Sequence, residues 1–201
     1  MNLSYLREPT HSLPEPFRVI LNIMRRTPSN STEYNRLSTR ELVTLISRDY
    51  HPALKDALDS VIVQMEAAQK VESGDQKVKK ALASIKLFRD LFSAHSGKEE
   101  RLLFPLVSNP AEKKLSGNDI AEIREFLSEL KAEHRRMEDE IDRIRIYTDH
   151  YSSEPSASPS HKLAYAQLNE FEQDFNRLVF VEEEFLFPRL SQIVKKINPP
   201  S

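Results

Sequence analysis

The chain has 201 residues and a formal net charge of -2; 39% of its residues are hydrophobic, 30% are charged, 3 are glycine and none is cysteine. So few glycines argue against a turn-rich β fold and against Gly-rich phosphate loops, while the missing cysteines exclude disulfide scaffolds, thiolate zinc sites, cysteine-ligated clusters and cysteine nucleophiles. A near-neutral charge gives no electrostatic footprint for nucleic acid.

Taken in chain order, Ser12 and Glu15 stand in capping-box spacing ahead of an apolar stretch from Phe17 to Met24, which predicts a short N-terminal helix. No basic-then-apolar signal pattern and no apolar run of membrane-spanning length occurs, so a cytoplasmic protein with no membrane partner is expected. Residues 27–37 read as a linker, making 1–37 an extension. Ser38 and Glu41 repeat the capping box and open a first long helix, about 38 to 72, with Pro52 predicted to kink or restart it. A turn at 73–76 precedes a second helix, about 77 to 107; a loop at 108–118 precedes a third, about 119 to 149. The stretch 152–160 reads as a loop before a fourth helix, about 160 to 197. Four long amphipathic helices with short connections predict an all-α antiparallel four-helix bundle over 38–197.

The bundle region repeats itself. FRDLFSAHSGKEERLLFP at 88–105 aligns with FEQDFNRLVFVEEEFLFP at 171–188, sharing Phe88/Phe171, Phe92/Phe175, Glu99/Glu182, Glu100/Glu183, Leu103/Leu186, Phe104/Phe187 and Pro105/Pro188. The same 83-residue offset that carries 88 onto 171 carries His51 onto His134 and Asp56 onto Asp139. Two copies of one helical hairpin, related by a pseudo-twofold axis, follow from this register. His95 and Glu99 stack on one helix face. With His51, His134 and Glu182 they make three imidazoles and two carboxylates in equivalent places about the bundle axis. Imidazole plus carboxylate without thiolate suits iron, manganese or zinc, and twofold-related carboxylates suit bridging two ions. The mate of His95 is Leu178, so the symmetric set lacks one member; Asp174 and Glu183 lie near that position without occupying it. Glu100, Glu183 and Glu184 read as a solvated face or as salt-bridge partners of Lys and Arg, the phenylalanines as core, and His11, His150 and His161 as surface residues.

At these residues the chain resembles the hemerythrin-like family, and most of all the di-iron domain of iron–sulfur cluster repair proteins of the RIC type. The likeness covers about 38–190 and rests on RELVTLISRDYHPAL, HSGKEERLLFP, EHRRMEDEI and VEEEFLFPRL. It implies iron as cofactor, two non-haem ions, with His51, His95 and His134 as ligands and Glu99 and Glu182 as bridging carboxylates. Leu178 in place of a ligand would open or weaken the second iron position. Gly97 and Pro52 put a flexible and a kinking residue beside two of these ligands. By the same resemblance the protein would handle iron, oxygen or nitric oxide, in cluster repair or the response to nitrosative and oxidative stress. The missing ligand motivates one alternative, a metal-free or single-metal helical module that acts through a partner protein. No nucleophile-with-base pattern points to acid–base catalysis.

Overall fold

The computed structural model describes residues 31–107 and 116–197. Helix α1 is Ser31–Arg36. Helix α2 runs as Thr39–Leu45, a π-helical turn Ile46–Tyr50, and His51–Val71. Helix α3 is Gln76–Lys98, a π turn Glu99–Leu103 and Phe104–Val107. Helix α4 is Gly117–Tyr147, and α5 is Pro159–Val181, a π turn Glu182–Leu186 and Phe187–Ile197. The long helices form an antiparallel four-helix bundle in which α2 packs on α3 and α5, and α4 packs on α3 and the end of α5. Among the described residues no helix is long and apolar enough to cross a membrane.

The helix starts follow local hydrogen-bond chemistry. Ser38 and Glu41 form the expected capping box, with the Glu41 N–H donating to Ser38 Oγ at 3.2 Å and the Ser38 N–H to Glu41 Oε2 at 2.7 Å. Ser116 and Asp119 make a second one that sequence reading missed inside its 108–118 loop. Asp75 caps α3 and Ser158 caps α5, each satisfying N–H groups the first turn leaves without partners.

One expectation changes. The predicted linker at 27–37 contains α1, whose Tyr34 is buried in the main core. The predicted helix at Phe17–Met24 lies outside the described residues. At Pro52 the helix restarts as expected: the chain widens by one residue in a π turn and resumes α geometry at His51. The same device appears at each Leu-Phe-Pro string. In every case the turn closes with an i→i−5 bond: His51 N–H to the Ile46 carbonyl, Phe104 to Glu99 and Phe187 to Glu182. Proline has no N–H and its ring crowds the preceding turn, and the wider turn accommodates both defects.

The core is centred on the repeated phenylalanines. Phe88 meets Phe171 edge-on at 5.2 Å between ring centroids and Phe175 at 5.0 Å. Each such ring contributes roughly 1.5–3 kcal/mol by burial.

Gly97 lies within the helical turn of α3 before the π segment, and a Cβ there would meet only the end of the Arg101 side chain, 2.9 Å from its Nη2. That flexible group can move aside. Gly97→Ala should therefore raise stability by about 0.5–1 kcal/mol through helix propensity, read as a higher denaturant midpoint with an unchanged slope.

Candidate metal centre

All five side chains named above converge at one level of the bundle. His51 opens the segment after the first π turn, while Glu99 and Glu182 are the first residues of the other two. The widened turns thus sit where the chain presents its inward polar groups. His51 Nε2 is 3.2 Å from Glu99 Oε2 and 3.8 Å from Glu182 Oε1. His134 Nε2 is 2.9 Å from Glu182 Oε2 and 3.2 Å from His95 Nε2. His95 Nε2 is 3.6 Å from Glu99 Oε2 and 3.8 Å from Glu182 Oε2. The donor atoms fall into two compact sets, His95–His134–Glu182 and His51–Glu99–Glu182, and Glu182 belongs to both.

Each imidazole is held from outside by a glutamate. His51 Nδ1 donates to Glu100 Oε1 at 2.7 Å, His134 Nδ1 to Glu183 Oε1 at 2.8 Å and His95 Nδ1 to Glu133 Oε2 at 3.0 Å. An ionised carboxylate only accepts, so these bonds put the proton on Nδ1 and turn the Nε2 lone pairs inward. Glu100 and Glu183 were expected on a solvated face or in salt bridges with Lys and Arg. They are half-buried and hold the histidines, Glu100 also pairing with Lys55 at 3.6 Å as a salt bridge, and they obey the same 83-residue offset as their partners. Glu184 is exposed, as expected. Glu133 escaped sequence reading although it stands next to His134; the helix sends neighbouring residues in different directions, and it serves His95 on α3. Asp56, Asp59, Asp139 and Asp142 are exposed helix charges. Asp174 pairs with Arg177 at 3.0 Å. With Glu183 engaged by His134, neither residue stands in for the imidazole absent at Leu178.

The arrangement is electrostatically incomplete as protein alone. Both oxygens of Glu99, both of Glu182 and Nε2 of His51 are buried without a hydrogen bond among the described residues; the close approach of His134 to Glu182 lacks hydrogen-bond geometry. A buried ion without such partners costs several kcal/mol. The two inward Nε2 lone pairs of His95 and His134 also face each other. With protons as the only cations, burial pushes the imidazoles down, but the glutamates win. His51, with Glu100, Glu182 and Glu99 about it, stands well above its ordinary value, His95 rises to about 10 against Glu99 and Glu133, and His134 rises against Glu182. Burial and the neighbouring Glu182 raise Glu99. Burial also works to raise Glu182, but the three histidines outweigh it and hold its carboxyl well below the usual range. Cations at the two donor sets would engage oxygens of Glu99 and Glu182 and the inward Nε2 atoms of His51, His95 and His134, and an oxygen–imidazole donor set without sulfur suits iron, manganese or zinc.

His161 was expected at the surface and is buried. Its Nδ1 bonds Glu72 Oε2 at 2.6 Å, and Glu72 Oε1 also accepts from the Ser158 N–H at 2.9 Å. These contacts tie the end of α2 to the start of α5. His150 is exposed, and His11 lies outside the described residues.

The family model described as the hemerythrin HHE cation binding domain matches residues 46–190. The chain is 27% identical over 164 residues to the iron-sulfur cluster repair protein YtfE of Edwardsiella ictaluri, covering 81% of this chain and 71% of that protein. It is 22% identical over 170 residues to the protein of that name from Yersinia pseudotuberculosis, covering 84% and 73%.

The Glu72 tie has a pH signature. Burial works to raise its carboxyl, but the Ser158 N–H and His161 outweigh it and leave it below the ordinary 4.5. A lowered folded value means that the stabilisation is complete above the ordinary value and is lost as pH falls through the folded one. Glu72→Gln should cost about 1 kcal/mol at neutral pH and less at low pH, measured by urea unfolding of both proteins across that range.

Proposed function

This chain belongs to the hemerythrin HHE cation-binding family, and on that premise we propose that it is a non-haem di-iron protein. His95, His134 and Glu182 would hold one ion and His51, Glu99 and Glu182 the other, with Glu182 common to both sets. Bound iron would supply redox chemistry and coordination of a small ligand. The chain's own residues do the rest. Glu100, Glu133 and Glu183 fix the imidazole tautomers and aim Nε2 inward. Phe104 stacks on His51 at 6.1 Å and Phe187 on His134 at 5.7 Å, locking both rings and keeping water from the centre. With Leu178 where an imidazole would stand, one ion would have a ligand fewer and could take a diatomic molecule such as oxygen or nitric oxide.

The named role that fits best is repair of iron–sulfur clusters in the cytoplasm under nitrosative or oxidative stress, with the damaged iron–sulfur protein as partner. Support for this role comes from the similarity to proteins that carry that name. The observation that carries the metal reading is the set of four orphaned carboxylate oxygens inside the bundle. The alternative, a metal-free or single-metal module acting through a protein partner, draws on Leu178 alone. It gives no reason for three outer glutamates to keep holding three imidazoles in ligand orientation.

Protein purified from iron-replete cells should contain iron, and His95→Ala and His134→Ala should each lose it while keeping the helical circular dichroism spectrum. Glu133→Ala should weaken iron binding by roughly 10–100-fold, read by chelator competition. Iron-free native protein, with histidine variants that still complement a repair-deficient strain, would reject this function.

A further inference from the structure

The internal twofold is broken on one side of the centre, and the break extends well beyond Leu178. On the intact side His95 contacts Glu133, Glu133 accepts from Lys98 Nζ at 2.6 Å, and Lys98 reaches Glu129 at 2.7 Å. These contacts lead outward, and the Glu129 side chain is 46% exposed. The 83-residue offset pairs His95, Glu133, Lys98 and Glu129 with Leu178, Tyr50, Val181 and Ile46. All four counterparts are buried, at 1% exposure or less. A polar relay on one side is an apolar wall on the other.

The four changes are physically linked. An imidazole at 178 would need a carboxylate at 50 to orient it, and a carboxylate at 50 without that imidazole would be a buried unpaired charge. Tyr50 keeps one polar atom, which is satisfied by the Tyr34 hydroxyl at 2.8 Å. Tyr34 comes from α1, and its ring lies 5.2 Å from Phe185. Arg189 fastens the same segment by donating to the carbonyls of Tyr34, Asn35 and Leu37. The N-terminal segment therefore closes the side of the bundle that has lost its polar relay.

The offset also says which ion is affected. It carries the His95–His134 contact onto Leu178–His51, so the depleted position is the one at His51. Resting on the metal-binding function proposed above, we infer that the two positions are unequal by construction. The His95–His134–Glu182 position holds its ion tightly, and the His51–Glu99–Glu182 position, beside the wall of Ile46, Tyr50, Leu178 and Val181, holds a weaker, exchangeable one. Leu178 and Tyr50 act as one unit in setting the difference.

The test is an anaerobic titration of the metal-free full chain with Fe(II) against a chromophoric chelator, repeated with Co(II), whose visible bands report the ligand environment. Two phases are expected, separated by at least about tenfold in affinity, since loss of an outer-shell partner alone weakens metal binding by roughly 10–100-fold. His51→Ala should remove the weak phase and spare the tight one; His134→Ala should abolish the tight phase. Leu178→His with Tyr50→Glu should tighten the weak phase, and Leu178→His alone should do so less. If the double variant does not fold, the two alanine variants still decide the matter. Two ions bound with equal affinity, or equal weakening of both phases by His51→Ala, would overturn the inequality. A native chain that binds neither metal would instead sink the metal-binding function itself.

Discussion

Two carboxylates lie side by side at the centre of an apolar bundle, and none of their four oxygens has a hydrogen bond among the described residues. Water and hydrogen-bond donors are the ordinary means of stabilising a buried charge, and the phenylalanine-rich core provides neither. What the fold provides is three imidazoles whose Nε2 atoms face the same space. This makes the centre a set of donors awaiting cations, and the packing around it is arranged to hold those donors in place.

The backbone contributes directly. A regular α-helix has no room for proline past its first turn, yet α2, α3 and α5 each carry one. Of the π turns that absorb these prolines, one ends just before His51 and the other two begin at Glu99 and Glu182. A one-residue widening re-aims the side chains at its edges, so accommodating the proline and placing the polar group are one structural event. Helix α4 carries His134 in continuous α geometry, with Arg135 where α2 has Pro52. The duplicated hairpins therefore reach similar donor positions by different backbone routes.

Asymmetry is as much a part of this molecule as its repeat. One flank of the centre is wired to the surface through charged residues, and the other is dry and covered by α1. The cover depends on Tyr34 and Arg189, neither of which belongs to the repeated pattern. Where the repeat would place a further imidazole, Leu178 packs with Ile46, Tyr50 and Val181 in a buried, uncharged wall.

Much of this was readable from residue order. The hydrophobic period, the proline and serine punctuation and the 83-residue self-similarity specify four helices, their hairpin pairing and the level at which five polar side chains must meet. Periodicity carries that information because an inward-facing position is dictated by local helix geometry. Which glutamate serves which histidine was not readable. Glu100 and Glu183 fall on faces that look solvated in any single helix, and their role exists only because the neighbouring helix brings an imidazole to them. The same holds for Glu133 on His95, for His161 buried against Glu72, and for Tyr34, whose partner Tyr50 lies across a helix junction. These pairings depend on distances between helices, and that spacing is settled by how the side chains of all four pack together.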